Sequence, residues 1–395
     1  KIFKKEADIY EIVNVLLEKN QSEDPFFVIN LGDIVRQYQK WTTHLPNIKP
    51  FYAVKCNPDP VILRLLANLN VCFDCASKNE IAKVIGVGVK PEDIIFANPC
   101  KMSSQIKFSR SHDVDLLTFD SENELYKIKL YHPEANLLIR IKTNDCNSLC
   151  KFSNKFGANL EEIKDILNVA KGLKINVIGV SFHVGSNCQS VDTYAESIKD
   201  AKDVFNIAKE LGFNFQILNI GGGFPGTDTE KITFKDIATT VNDAIANYFN
   251  DIEDLKIMAE PGRFFVASSH TLVLNVINKK IRIDKETGEK IIIYYCNDGL
   301  YSSLNGIVMD HFVVDESNLI PFNERHEKKY KCQLFGQTCD SADQITESIM
   351  LPDLAIGETL LINFCGAYSR VWFPNDNSID LFNGFSMTES KYVLN

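Results

Sequence analysis

Short apolar runs alternate with segments of helical periodicity between about residue 50 and residue 262, and this rhythm constrains the fold most strongly. Several runs are almost wholly apolar, which is typical of strands buried on both faces of a parallel sheet. Between them, apolar residues recur three and four positions apart, which indicates amphipathic helices. The eight runs are FYAVK (51–55), VCFDCAS (71–77), IIFAN (94–98), LLTFDS (116–121), LLIRIKT (137–143), VIGVSFHVGS (177–186), ILNIGGG (217–223) and KIMAEPG (256–262).

Eight strands with intervening helices over roughly 220 residues predict an α/β fold, an eight-stranded TIM-like barrel. A doubly wound open sheet has the same alternation and stays open as an alternative. After about residue 270 the chain becomes a series of β-strands joined by turns, and FFVINL (26–31) predicts one more strand. We expect a barrel domain over 31–269, which begins with a helix at 31–41. We also expect a C-terminal β domain over 270–395 that is completed by the N-terminal segment 1–30.

Composition excludes several classes of partner and location. Asp and Glu number 52 against 42 Lys and Arg, which gives a formal net charge of -10 and argues against nucleic-acid binding. The 11 Cys are an odd number spread over a long chain, which argues against a secreted disulfide framework and favours a cytoplasmic protein. No apolar stretch reaches about 18 residues, so no membrane span is expected.

One cysteine pair, Cys72 and Cys75, has the CxxC spacing of metal and redox sites. It lies in a segment that predicts a strand, where side chains three positions apart point to opposite faces. The required structural context for such a motif is therefore missing, and we expect no metal.

Polar residues and glycines gather at the C-terminal ends of the apolar runs, where barrels of this type hold their active sites. Because these residues come from separate runs, packing alone explains their positions poorly. The set comprises Lys55, Asp74, Glu80, Arg140, His183, Ser186, Gly221, Gly222, Gly223, Glu260, Gly262 and Arg263.

The glycines after the seventh run, and Gly262 with Arg263 after the eighth, occupy the usual phosphate site of such barrels. Bare backbone amides approach an anion closely, and Arg pairs with it bidentately. The glycines also match G-x-G-x-x-G, but Pro225 interrupts the motif and it comes late in the strand series, which argues against a dinucleotide. A turn that permits tight packing is the remaining alternative.

A phosphate site across the barrel mouth from Lys55 favours a Schiff-base lysine, and with it pyridoxal phosphate. Taken alone, Lys55 would be a solvated rim residue. Glu260 would pair with the pyridinium nitrogen of that cofactor, with Arg263 as the alternative partner of this carboxylate. His183 would stack on the cofactor ring or serve as a core histidine.

At these residues the sequence resembles the eukaryotic ornithine decarboxylases, which belong to the alanine-racemase-like (fold type III) pyridoxal-phosphate enzymes. The resemblance runs along nearly the whole chain. The motifs that carry it are FYAVKCN (51–57), FDCASKNE (73–80), FANPCK (96–101), SFHVGS (181–186), GGGFPG (221–226), EPGRFF (260–265), NDGLY (297–301), GQTCD (336–340) and GAY (366–368).

The resemblance implies pyridoxal 5′-phosphate as cofactor, bonded covalently to Lys55, with His183 facing its ring and Glu260 holding its nitrogen. It implies that Asp74, Glu80 and Arg140 complete the pocket. The phosphate is assigned to Ser186, Gly222, Gly223, Gly262, Arg263 and Tyr368.

The resemblance further implies a homodimer whose active sites are shared across the interface. Cys339 would protonate the substrate Cα after carbon dioxide leaves, while Asp310 and Asp340 would grip the distal ammonium, with Tyr301 in the same substrate site. For Asp310, a turn residue is the alternative interpretation. The implied reaction converts L-ornithine to putrescine and carbon dioxide, the first step of polyamine biosynthesis.

Several features depart from the family pattern. Met309 stands where close relatives usually carry Tyr, and the spacer over 369–381 is longer than usual. The chain also ends at Asn395 without a Pro-, Glu- and Ser-rich tail. The polar segment 143–154 predicts a loop.

A mildly basic stretch lies within residues 101–129 and could meet an acidic, antizyme-like regulator, although a solvated helix face is the favoured interpretation. Its basic residues are Lys101, Lys107, Arg110, Lys127 and Lys129.

Alternative functions stay open. A catalytically dead, antizyme-inhibitor-like binding protein is one, although Asp74, Arg140, Tyr301 and Asp340 all remain here. A racemase is another, although racemases place Arg opposite the pyridinium, where this chain has Glu260. Decarboxylases of lysine or arginine are closer, because one methylene is worth only about 1–3 kcal/mol in a pocket. Diaminopimelate, with its second carboxylate, would be repelled by the two aspartates.

Overall fold

The computed structural model describes residues 8–19, 23–229, 231–323, 327–369 and 389–393. They form two compact units, one from Gln37 to Phe265 and the other from the chain on either side, up to Arg36 and from Val266 onward. The expected domain bounds, 31–269 and 1–30 with 270–395, stay predictions. The spacer from residue 370 onward and the FNGF motif (382–385) lie outside the described residues.

A closed barrel of eight parallel strands forms the Gln37–Phe265 unit. Each strand pairs with the next barrel strand along the chain, and the last pairs with the first. The predicted α/β barrel is therefore confirmed, and the open sheet is excluded. Barrel strands one to eight are Ile48–Ala53, Cys72–Cys75, Ile94–Phe96, Leu116–Phe119, Asn136–Arg140, Asn176–Ser181, Ile217–Asn219 and Lys256–Ala259.

Helices follow the barrel strands and begin at residues suited to cap them. Asp59 accepts a 2.9 Å hydrogen bond from the backbone N–H of Val61, and Pro60 occupies the first turn. Thr233 and Asp236 form a reciprocal capping box. The helices are Leu31–His44, Pro60–Asn68, Lys78–Gly86, Ser103–Ser111, Glu122–Tyr131, Ile163–Gly172, Val191–Glu210 and Phe234–Tyr248.

Trp41 anchors the helix Leu31–His44 to the outside of the barrel. It is fully buried, and its Nε1 donates a 2.9 Å hydrogen bond to the carbonyl of Ile48. Four phenylalanine rings surround the indole at centroid distances of 5.0 to 6.1 Å. Packing of this kind holds a helix more firmly than its propensity alone.

The other unit is built around a mixed sheet of eight strands. Phe26–Asn30 pairs antiparallel with His270–Ile283 and parallel with Glu389–Val393. The predicted pairing of the N-terminal strand with the C-terminal sheet is confirmed. The remaining strands, in spatial order around His270–Ile283, are Leu319–Pro321 and Thr359–Asn363 on one side and Lys290–Cys296, Tyr330–Phe335 and Gln344–Leu351 on the other.

Alternation along Phe26–Asn30 divides the core of this unit. Phe27 and Ile29 belong to one buried cluster, whereas Phe26 and Val28 belong to another. The second cluster includes Ile12, from the helix Ile9–Lys19. Since successive strand side chains point to opposite faces, a continuous apolar run is what a strand covered on both faces requires. Gly306–Met309 is a single helical turn in this unit.

Two predictions were wrong in detail. Within 143–154, Ser148–Cys150 is a short strand, because its backbone pairs antiparallel with Ser186–Cys188 and the Ser148 hydroxyl donates to the carbonyl of Val184. Lys101 is not part of a solvated face, because it is fully buried against Glu124. None of the described helices is long and apolar enough to cross a membrane.

Candidate active site

Lys55 and Asp74 meet at the C-terminal end of the barrel. Strand one ends at Ala53, and the 3-10 turn Val54–Cys56 that follows carries Lys55. Asp74 lies opposite Ala53 in the parallel register of strands one and two. Lys55 Nζ forms an ion pair with Asp74 Oδ2, and Asp74 is fully buried. A buried carboxylate needs such a partner, so the pair fixes the lysine amine inside the barrel mouth.

Glu260 follows strand eight and is held by Asn219 at the end of strand seven. Asn219 Nδ2 donates a 2.7 Å hydrogen bond to Glu260 Oε1. Burial, and next the charge of Asp74, raise the pKa of Glu260 to about 7, while Lys55 and Asn219 oppose the rise. Asn219 is therefore the neutral donor that supports this carboxylate.

His183 has a defined tautomer. Its Nδ1 accepts a 3.0 Å hydrogen bond from the backbone N–H of Gly185, so the neutral ring carries its proton on Nε2. Burial, followed by the nearby charges of Arg140 and Lys55, holds the pKa of His183 well below its ordinary value. The imidazole is therefore neutral at physiological pH.

Arg140 ends strand five and faces the same group of charges. Burial lowers the pKa of its guanidinium, while the carboxylates of Glu260, Asp120 and Asp74 oppose that change. The guanidinium retains its charge because the ordinary pKa of Arg lies far above neutrality. Arg140 and Lys55 are thus the two cations that balance the acidic groups near Glu260 and Asp74.

Ser186, Arg263 and two glycine segments form a cradle of bare backbone. Arg263 Nη2 donates a 3.1 Å hydrogen bond to Ser186 Oγ. A Cβ on Gly222 would lie 2.7 Å from the carbonyl oxygen of Glu260 and 2.8 Å from His183 Nε2. A Cβ on Gly262 would lie 2.9 Å from the Cβ of Cys56. Only glycine fits here, which leaves amides accessible to an anion.

Gly223 has a backbone φ of +103°, which side-chain-bearing residues rarely adopt. A Cβ there would also lie 2.6 Å from the carbonyl oxygen of Gly185. The glycine motif therefore folds as a tight turn against the segment that carries His183 and Ser186.

Glu80 lies beyond strand two and caps a helix. Its Oε2 accepts a 2.7 Å hydrogen bond from the backbone N–H of Ala76, and Ser77 Oγ accepts one from the N–H of Glu80. Burial raises its pKa. These contacts give Glu80 a structural role, and its predicted contact with a cofactor stays a prediction.

Five predicted residues belong to the other unit. The Tyr301 hydroxyl donates a hydrogen bond to Asp340 Oδ2, and Cys339 beside it is exposed. Asp310 is buried, with 6% of its surface exposed. Tyr368 has a φ of +57°. Their place in one site with the barrel residues stays a prediction.

Residues 31–267 match the model of the pyridoxal-dependent decarboxylases, pyridoxal binding domain. That match covers more than half of the chain, on the unit that holds Lys55. The chain belongs to the pyridoxal-dependent decarboxylases. It shares with them the barrel fold and the cofactor, pyridoxal phosphate.

Curated relatives of this chain include two kinds of protein. Ornithine decarboxylase of Rattus norvegicus is 42% identical over 386 residues, which is 96% of this chain and 82% of the relative. Antizyme inhibitor 2 of Xenopus laevis is 44% identical over 390 residues, which is 97% of this chain and 84% of the relative. Among solved structures, Paramecium bursaria Chlorella virus arginine decarboxylase superposes with a TM-score of 0.89 at 35% identity, covering 97% of this chain and all of that one.

The barrel residues of this chain fit the family's cofactor. Asp74 Oδ1 is buried and accepts no hydrogen bond from any part of the chain that the structure describes. Gly222, Gly223 and Gly262 lie too close to their neighbours to carry a side chain, which leaves bare backbone there. Lys55 supplies an amine that can form an imine with an aldehyde. No group of three or more residues suited to a metal ion occurs within the described ranges.

Sequence reasoning missed several residues that support the site. Asn219 interrupts the apolar run ILNI, and a polar residue in such a run was the available signal. Thr143 donates a 2.8 Å hydrogen bond to the carbonyl of His183, and Asp120 accepts one from Gly157. The last two lie in loops after strands four and five, where sequence alone gives no contact partner.

Proposed function

We propose that the protein decarboxylates L-ornithine to putrescine and carbon dioxide, and thereby takes part in polyamine biosynthesis. The observation that carries this proposal is the pairing of Lys55 with the buried carboxylate of Asp74, beside Glu260, Arg140 and His183. The 42% identity to rat ornithine decarboxylase, over nearly the whole chain, supports ornithine as the substrate.

Pyridoxal phosphate supplies an electron sink for the pair that is released when the bond between Cα and the carboxylate breaks. Lys55 would hold the cofactor covalently, and Glu260 would hold the proton of its ring nitrogen. Neutral His183 would cover the ring without adding a charge. Ser186, Arg263 and the bare amides of the glycine cradle would bind the phosphate.

Asp310, Asp340 and Tyr301 are proposed to bind the substrate's distal ammonium. Opposed carboxylates suit a cation, and the Tyr301 hydroxyl already orients Asp340. Cys339 is proposed to donate the proton that Cα takes up after carbon dioxide leaves. Its thiol is exposed in the described chain, as a group that acts in a site completed by another chain would be.

A homodimer with shared active sites is part of this proposal, because the resemblance to the ornithine decarboxylases implies one. A cytoplasmic location follows from the cysteine usage rather than from any feature of the fold. An antizyme-like protein is proposed as a regulator, since a 44% identical relative is an antizyme inhibitor.

Antizyme inhibition is the second candidate function, favoured by that same identity. The two candidates differ in what the chain must retain. A binding protein has no use for an amine paired with the buried carboxylate of Asp74 or for a buried carboxylate held by Asn219, and both are present. A buried charge pair is rarely retained for stability alone.

Initial rates of carbon dioxide release from L-ornithine, L-lysine and L-arginine test the proposal, with and without added pyridoxal phosphate. We expect release from ornithine to depend on the cofactor and to fall by at least about 1,000-fold in Lys55→Ala. The single variants Asp310→Asn and Asp340→Asn should each raise KM for ornithine more than they lower kcat. A protein that binds the cofactor but releases no carbon dioxide from any of the three would instead support the inhibitor function.

A further inference from the structure

Two phenylalanines from one polar segment pack against two side chains of the cofactor site. The ring of Phe152 meets the imidazole of His183 edge-on, with centroids 4.9 Å apart and planes at 78°. The guanidinium carbon of Arg140 lies 5.2 Å from the centroid of Phe156. Phe152 and Phe156 are four residues apart, and the backbone N–H of Phe156 donates a 3.0 Å hydrogen bond to the carbonyl of Phe152.

The segment that carries these rings, Asp145–Gly157, is fastened at both ends; we call it the aromatic bracket. At its start, buried Asp145 accepts hydrogen bonds from the backbone N–H groups of Phe152 and Ser153 and from the Ser153 hydroxyl. Burial alone would raise the pKa of Asp145, but these hydrogen bonds outweigh that effect and lower it. The carboxylate therefore stays charged and closes the bracket into a loop.

At its end, the bracket is tied to strand five. The N–H of Gly157 donates a 2.9 Å hydrogen bond to Asp120 Oδ2, and the N–H of Ala158 donates one of 2.9 Å to the carbonyl of Arg140. Gly157 has a φ of +98°, which lets the chain turn sharply at this point. The Phe156 ring is thus held beside the residue whose guanidinium it covers.

In its middle, the bracket is tied to the segment that carries His183. The strand Ser148–Cys150 pairs with Ser186–Cys188, and Ser148 Oγ donates a hydrogen bond to the carbonyl of Val184. The Gly185 N–H fixes the tautomer of His183 from the other side. Every one of these contacts lies within the Gln37–Phe265 unit.

We propose that Phe152 and Phe156 are positioning residues for the cofactor, which hold the His183 imidazole and the Arg140 guanidinium in their working orientations. The inference rests on the proposed roles of His183 and Arg140 at the cofactor, but not on ornithine as the substrate. An aromatic face attracts a guanidinium, and a ring edge packed on an imidazole removes its rotational freedom. Leucine has a similar volume but no π face, so it would fill the space without orienting either group.

The test measures the dissociation constant of pyridoxal phosphate for the cofactor-free full-length protein, by titration and absorbance. Phe152→Leu and Phe156→Leu are each expected to weaken binding by about tenfold, and Phe152→Tyr and Phe156→Tyr to restore it to within about twofold. Phe213→Leu is the matched control, because the Phe213 ring contacts Phe215 outside the site. Its dissociation constant should equal that of the wild type.

The melting temperature of each cofactor-free variant separates positioning from folding. We expect both Leu variants to melt within a few degrees of Phe213→Leu while they bind the cofactor less tightly. Binding equal to that of the control, or a loss that Tyr does not restore, would overturn the proposal. Because binding is read without substrate, failure of ornithine turnover alongside the expected binding pattern would count against the proposed function only.

Discussion

Asn219 Nδ2 donates a 2.7 Å hydrogen bond to Glu260 Oε1 at the adjoining ends of strands seven and eight. The bond stabilises the charged carboxylate in a place where burial favours the neutral acid. It therefore lowers a pKa that would otherwise rise above about 7. The strength of cofactor binding near neutral pH depends on this balance, if Glu260 holds the ring nitrogen as proposed.

Asn219→Leu should shift the pH dependence of cofactor binding upward. Without the hydrogen bond the pKa of Glu260 rises, so more of the carboxyl is protonated at pH 7 and binding weakens there by about tenfold. The loss should diminish toward pH 9, where the carboxylate forms again. Titrations of cofactor-free protein from pH 6 to 9 measure this, with Asn242→Leu, at an exposed position, as the control. An unshifted profile would contradict the role assigned to Asn219.

Gly222→Ala should impair the site more than the fold. The new Cβ would lie 2.7 Å from the carbonyl oxygen of Glu260 and 2.8 Å from His183 Nε2, so the imidazole or the backbone must move. We expect at least tenfold weaker cofactor binding and a loss of about 1–3 kcal/mol in the free energy of unfolding. Gly172→Ala, where a Cβ meets nothing within 4 Å, is the control and should change neither quantity appreciably.

Lys101 and Glu124 form a buried ion pair of 2.9 Å, and Lys101 Nζ also donates to the carbonyls of Asn98 and Thr118. Burial lowers the pKa of Lys101, while Glu124 opposes that change. Glu124→Gln leaves the Lys101 ammonium buried without a counter-charge. We expect the free energy of unfolding, measured in urea, to fall by about 3–5 kcal/mol. Lys127→Ala removes the more exposed partner of Glu124 and should cost about 1 kcal/mol or less. Equal losses of unfolding free energy in the two variants would show that burial does not determine how much each ion pair of Glu124 stabilises the protein.

Asp343 holds together the two loops that carry Tyr301 and Cys339. Its buried carboxylate accepts hydrogen bonds from the N–H of Leu300 at 2.8 Å and from the N–H and hydroxyl of Thr338. In Asp343→Asn an amide NH₂ group replaces one carboxylate oxygen and faces an N–H or O–H group that also donates. We therefore expect the free energy of unfolding, measured in urea, to fall by about 2–4 kcal/mol. Asp340→Asn, at an exposed position, should change stability by less than about 1 kcal/mol. Comparable losses in both variants would contradict the role assigned to Asp343.

The barrel could be predicted from sequence because its strands are buried on both faces, and continuous apolar runs have few other uses in a chain of this length. The convergence of Lys55, Asp74, His183 and Glu260 followed from the same fact, since parallel strands direct their C-terminal ends to one rim. Both predictions rest on periodicity, which a single sequence displays directly.

Long-range polar contacts could not be predicted in this way. Lys101 belongs to a sequence stretch that looks solvated, yet its partner Glu124 lies 23 positions away on the helix Glu122–Tyr131. Phe152 and Phe156 lie in a polar segment that predicts a loop, and only folding brings them to His183 and Arg140. Such contacts depend on which loops become neighbours, and propensity carries no information about that.

The most direct test of the account is to locate the cofactor on the chain. Protein incubated with pyridoxal phosphate is reduced with borohydride, which makes the bond between cofactor and amine permanent, and is then digested and mapped by mass spectrometry. We predict a single labelled peptide that contains Lys55, and no label in Lys55→Ala. Label on a different lysine, or an unlabelled wild-type chain, would contradict the account.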